Sequence, residues 1–157
     1  MTHITYRRST ASDAPEVFDL VTRSILRLAP HPYDQGVVDT WMIGRVAEDY
    51  RPDCADQCLW IAEVNEKQIG FAHGVLGEVM RLFVDADFVG IGAGAGLMDL
   101  ALADALQNGS GKVRIDATLN AVPFYKKWGF IEIGTGVFSG RDEELPPIDI
   151  VKLERMF

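Results

Sequence analysis

Residues 82–97 read LFVDADFVGIGAGAGL, and they join two patterns of different period. The apolar run over 79–84 has the character of a strand covered on both faces in a sheet interior. After it, Gly90, Gly92, Gly94 and Gly96 open a helical pattern that runs to residue 108, with Met98, Leu102, Ala105 and Leu106 toward the core. A glycine inside a helix costs about 1 kcal/mol against alanine, so helix formation does not explain four of them. Stripping Cβ atoms from a helix start lets a ligand touch backbone whose N–H groups have no intrahelical partner, and the helix dipole there favours an anion. A diphosphate seat follows from that physics. The alternative is close packing of the helix on the sheet through Gly94 and Gly96.

Working outward, residues 3–8 alternate as in an edge strand. Asp13, Pro15 and Glu16 read as a helix start with Asp13 as N-cap, and Val17, Leu20, Val21, Ile25 and Leu28 form its apolar stripe. Residues 29–33 break that helix, a second helical pattern covers 37–47, and 50–53 read as loop. Period two then takes over: a strand at 59–64, a turn at 65–67, its hairpin partner at 68–75 and the 79–84 strand. Beyond the glycine helix come a short strand at 112–116, a short helix at 121–128 closed by Gly129, and strands at 130–138 and 148–156 joined by a polar connection over 139–147. Strands in succession and then a βαβ crossover imply an α+β fold, a mixed and mostly antiparallel sheet with helices on both faces.

At 157 residues, 48% hydrophobic and 24% charged, the chain suits one folded domain spanning 1–157. A formal charge of −8 without a Lys/Arg cluster argues against a nucleic-acid surface. No apolar leader and no run of about 18 apolar residues is present, so a cytoplasmic protein without a membrane partner is expected, as monomer or homodimer. Cys54 and Cys58, spaced C-x3-C without a second pair or an adjacent His, are expected to be structural thiols, with no metal and no disulfide.

Three phosphate-binding patterns compete for 90–96. A P-loop fails for want of Gly-Lys-Ser/Thr after the glycines. A dinucleotide fold needs G-x-G-x-x-G, whereas the chain has G-x-G-x-G-x-G; Asp116 falls where a ribose-binding acid would sit, but too few residues remain for a second nucleotide half. The third is coenzyme A binding. Val89-Gly90-Ile91-Gly92-Ala93-Gly94, placed after Leu82-Phe83-Val84, resembles motif A of the GNAT acetyltransferases, with Val89 where that family usually has Gln or Arg. Residues 119–130, LNAVPFYKKWGF, look like its motif B, and the resemblance covers nearly the whole chain, weakly over 29–57.

The resemblance implies the GNAT acyl-coenzyme A acyltransferase fold and an N-acetyltransferase. Acetyl-coenzyme A would be the co-substrate and a small-molecule or peptide primary amine the acceptor, joined directly in a ternary complex. It implies a cofactor seat formed by Leu82, Phe83, Val84, Val89, Gly90, Ile91, Gly92, Ala93, Gly94, Ala95, Thr118, Asn120, Phe124 and Tyr125. Tyr125 matches the family's general acid. It lies beside the stripe of Ala121, Phe124 and Trp128, so its hydroxyl need not be buried. Glu78, at the start of an apolar strand where a carboxylate is expensive, matches a general base used by some members; a strand-end charge in solvent is the alternative. An oxyanion would meet a backbone N–H near Phe83 or Val84 if that strand splays from its neighbour, as the family's does. Asn120 is expected to cap the short helix, and either it or Thr118 to reach the pantetheine arm. His31, Tyr33, Trp41 and His73 are candidates for the acceptor pocket. Two other classes stay open: a non-catalytic acyl-coenzyme A-binding or regulatory module of the same fold, and a dinucleotide-binding oxidoreductase.

Overall fold

Strand β1 (Thr5–Arg8) leads into helix α1 (Ala14–Leu26), followed by α2 (Gln35–Trp41) and α3 (Arg51–Ala55). Three strands come next, β2 (Leu59–Val64), β3 (Lys67–Val75) and β4 (Glu78–Val84), and then helix α4 (Ala93–Ala105). The chain closes with β5 (Lys112–Thr118), α5 (Val122–Lys127), β6 (Ile131–Val137) and β7 (Asp149–Met156). The computed structural model describes residues 2–109, 111–139 and 141–157, so Gly140, within the connection expected at 139–147, lies outside the described residues.

The seven strands form one sheet in the order β1-β2-β3-β4-β5-β7-β6. Every neighbouring pair is antiparallel except β4 and β5. This is the mixed, mostly antiparallel α+β architecture expected from the order of sequence patterns. Asn65 and Glu66 hold left-handed φ values of 50° and 66°, which gives the β2–β3 hairpin a turn whose twist suits its strands. Among the described residues, no helix is long and apolar enough to cross a membrane.

The sheet separates two cores. On one face, Leu97, Met98, Ala101 and Ala105 of α4 and Val122 and Tyr125 of α5 pack on Ile69, Val113, Ile115 and Leu153. On the other, Val17, Leu20, Val21 and Ile25 of α1, with Val38, Trp41 and Cys54, pack on Leu59, Ile61, Phe71 and Ile148. Gly74 of β3 admits α4 closely, since a Cβ there would run into the Ala101 carbonyl.

Three local expectations are corrected. Asp13 does not cap α1 with its side chain; it ends a preceding 3-10 turn, accepts from the Thr10 N–H at 2.7 Å and takes both Arg7 guanidinium nitrogens at 2.7 and 2.8 Å. The expected loop at 50–53 contains the start of α3, because Pro52 sits in a first helical turn, where its missing N–H costs nothing, and Tyr50 and Cys54 bury together. β4 is not covered on both faces: Met80 is exposed, and Arg81 through Val84 are half-buried. Its apolar side chains border an opening.

Candidate active site

β4 and β5 run parallel but pair only where they begin, with Glu78 opposite Arg114 and the Arg114 N–H on the Gly77 carbonyl at 2.9 Å. From there β4 stays with β3 and β5 with β7, so a wedge opens between them. The Asp85 N–H donates to Ile69 of β3 at 2.7 Å. Because antiparallel partners alternate, Phe83 also directs its backbone groups at β3, while Leu82 and Val84 turn theirs into the wedge. Of the two amides left open by the sequence, Val84 therefore faces the opening and Phe83 is committed to the ladder.

A cavity of about 380 Å³ fills this wedge and continues through the sheet. Leu82, Phe83, Val84 and Val89 line one wall, and Ile115, Asp116, Ala117, Thr118, Asn120 and Tyr125 the other. Glu78 does not line it, because it stands at the joined end of the strands, where the wedge has not yet opened. Asp116 supplies the cavity's carboxylate instead. Ile115 and Ala117 point into the α4/α5 core, so strand alternation sends Asp116 to the other face. That alternation, visible in KVRIDAT over 112–118, is the signal that could have singled it out.

Tyr125 departs from its expected environment: it is 4% exposed, and with Val122 it forms the buried face of α5, whereas Ala121, Phe124 and Trp128 are half-buried. Its ring meets Phe124 and Phe130 edge-on, with centroids 5.3 and 6.3 Å away. Among the described residues its hydroxyl has no hydrogen-bond partner, and burial pushes its pKa upward. The group thus stays protonated beside the wedge with its donor uncommitted. Thr118 and Asn120 both line the cavity, but neither caps α5; that position falls to Ala121, with Pro123 in the first turn.

The four glycines divide by role. Gly90 and Gly92 hold φ of +84° and +94°, and a Cβ on either would meet nothing within 4 Å. Their conformation requires glycine, and the space before them is open. Gly96 packs, because a Cβ there would strike the Tyr6 hydroxyl, and Gly94 lies against Phe124. Gly92 is the N-cap of α4, and the Gly96 N–H bonds back to its carbonyl at 3.1 Å, so the amides of Ala93, Gly94 and Ala95 precede the first helical bond. Of this turn Val89 lines the cavity, whereas Gly90 through Ala95 and Phe124 do not.

Asp85, which the sequence reading passed over, fixes that turn. It is 3% exposed, accepts from the Asp87 N–H at 3.0 Å and pairs with Arg23 of α1 at 2.6 Å. Burial works to raise its pKa, but the Arg23 guanidinium and the Asp87 amide outweigh this and hold the carboxyl below its ordinary value.

Of the four residues offered for an acceptor pocket, only Trp41 lines the cavity. His31 is exposed, and Tyr33 is a tether whose hydroxyl donates to the Asp149 carbonyl at 2.6 Å and accepts from the Leu119 N–H at 2.9 Å. His73 arrives from β3 within reach of Cys58, and with Asp53 their donor atoms lie within 4.8 Å of one another. A guanidinium already serves this group: Arg81 donates to Asp53 at 2.9 Å and lies 3.2 Å from His73 Nδ1. Burial and then the charge of Arg81 lower the His73 pKa.

Comparison with known proteins agrees with this geometry. The acetyltransferase (GNAT) domain family model matches residues 29–140. The chain is 23% identical over 131 residues to the uncharacterized N-acetyltransferase YafP of Escherichia coli (strain K12), covering 83% of each chain. Its fold is similar to a GCN5-related N-acetyltransferase from Rhodopseudomonas palustris, with a TM-score of 0.77, 19% identity and coverage of 100% of this chain and 98% of that one. It is also similar to the PaiA N-acetyltransferase of Thermoplasma acidophilum, solved in complex with coenzyme A, with a TM-score of 0.71, 16% identity and 99% coverage of each. With a family match over most of its length and a wedge between β4 and β5 leading to a glycine-rich helix start, the chain belongs to the GNAT acetyltransferases.

Proposed function

We propose that residues 1–157 form one N-acetyltransferase domain that moves the acetyl group of acetyl-coenzyme A to a primary amine by direct attack in a ternary complex. The observation that carries this is the wedge, because it brings a Val84 amide that turns away from β3 and a Tyr125 hydroxyl that is uncommitted among the described residues to one cavity beside a helix start open to an anion. Solved likeness to a coenzyme A complex supports the co-substrate.

The amides of Ala93, Gly94 and Ala95 would hold the diphosphate, and Leu82 and Val84, with Thr118 and Asn120 opposite, the pantetheine arm. The amine nitrogen attacks the thioester carbonyl carbon, forming C–N, and the carbonyl oxygen takes up negative charge against the Val84 N–H. The amine gives a proton to Asp116, directly or through water, a role for which Glu78 stands at the wrong end of the wedge. The C–S bond then breaks and Tyr125 protonates the leaving sulfur. Neither motif supplies a Cys or Ser to carry the acyl group, which favours direct attack over a covalent intermediate.

Calorimetric titration of acetyl-coenzyme A into wild type and Ala95→Glu tests the seat. Valine at Gly92 is a poor probe, since a β-branched residue at φ +94° strains the backbone whatever binds there. Ala95 is exposed in the first turn of α4, where a carboxylate favours the empty helix but repels a diphosphate. Wild type is expected to bind, and the variant to bind about tenfold more weakly without losing thermal stability. Equal affinity would put the diphosphate elsewhere, and binding of NAD in place of acetyl-coenzyme A would restore the dinucleotide reading.

A further inference from the structure

The cavity passes from the α4/α5 face of the sheet, where the glycine turn lies, to the α1/α2 face, where its wall includes Trp41, Met42, Arg45, Tyr50, Phe138 and Arg141. Four arginines line it. Two have acidic partners: Arg81 donates to Asp53 at 2.9 Å, and Arg27 approaches Asp87 at 3.8 Å. Arg45 and Arg141 have none among the described residues, in a chain with 23 acidic residues and a formal charge of −8.

Among the described residues Arg141 is held by neutral groups alone. Its guanidinium donates to the carbonyls of Trp41 at 3.2 Å and Pro146 at 3.0 Å and to Thr40 Oγ1 at 3.4 Å, while its buried Nε has no partner among them. These contacts aim the group without neutralising it. Burial, and then the nearby charge of Arg45, lower its pKa, as expected for a cation held near a like charge in a partly dry wall. Two uncompensated arginines facing one cavity make an arrangement that an incoming oxyanion relieves. They belong to the α2 side, across the sheet from the amides that suit a diphosphate, so the cofactor's phosphates do not account for them.

We propose that the acceptor amine carries an oxyanion, carboxylate or phosphate, which docks against Arg45 and Arg141 while its amine faces Asp116 and its apolar body lies among Trp41, Met42 and Phe138. The proposal rests on the transfer reaction above only in taking this ligand for the acceptor.

The test titrates coenzyme A-loaded protein with matched ligands: apolar α- and ω-amino acids, their carboxamides, the amines lacking the carboxyl group, and the corresponding aminophosphonates. At least one acid or phosphonate should bind about tenfold or more tightly than its amide, and whichever anion binds better identifies the chemistry. Arg45→Gln should remove that preference and leave coenzyme A affinity unchanged. Arg45 is the first variant because it is exposed and its side chain makes no hydrogen bond among the described residues, whereas Arg141→Gln also frees the connection after β6 from α2. Acid and amide binding alike, neither binding, or Arg45→Gln weakening coenzyme A instead would each overturn the proposal. Selective binding without acetylation would leave this site standing and remove the transfer reaction.

Discussion

Replacing Tyr125 by Phe should lower kcat about 100-fold while leaving the dissociation constant for acetyl-coenzyme A unchanged. The substitution keeps the ring against Phe124 and Phe130 and removes only a hydroxyl that has no partner among the described residues. Losing a hydroxyl that makes no hydrogen bond among the described residues is close to neutral for stability, so a loss of rate belongs to the chemistry. General acids contribute about 100-fold to 10,000-fold, and a thiolate leaves readily, which puts the effect at the low end. Because burial raises the Tyr125 pKa, the acid form persists as pH rises, and an alkaline limb in kcat due to this group should lie above the ordinary tyrosine value of about 10. A kcat within twofold of wild type would assign Tyr125 to packing.

Val84→Pro should have the larger effect, a loss of about 100-fold to 1,000-fold in kcat, the usual result of deleting one oxyanion donor. Proline removes the amide that faces the wedge but spares the ladder to β3, which runs through Phe83 and Asp85. Phe83 is already extended, as a residue before proline must be. Val84→Ala keeps the amide and loses only side-chain packing, so it should stay within a few-fold of wild type. Equal losses in the two variants would mean that the side chain, and not the amide, matters.

The fold was legible because its signals are local and periodic. The glycine cluster over 90–96, the turn expected at 65–67 and found at 65–66, and the short strand expected at 112–116 and found over 112–118 each come from short-range physics that no distant contact overrides. Helix α3 was not, because Pro52 breaks and starts helices with equal ease and its stabilising burial comes from α1 and β2. The burial of Tyr125 was misread because α5 is six residues long, too short for a stripe at helical spacing to reveal which side meets the sheet. Glu78 drew attention as a carboxylate on an apolar strand, but where that strand parts from β5 is a fact of pairing and not of composition. Arg45 and Arg141 sit in irregular connections, where no period marks a side chain's direction, and only the folded chain brings them together.

The most direct measurement is release of free coenzyme A thiol from acetyl-coenzyme A by the wild-type protein across a panel of primary amines, with the amine product weighed by mass spectrometry. Thiol release that requires an amine and matches N-acetylated product one for one is expected, and no release with any amine from protein that binds acetyl-coenzyme A would contradict it and leave a non-catalytic acyl-coenzyme A-binding module.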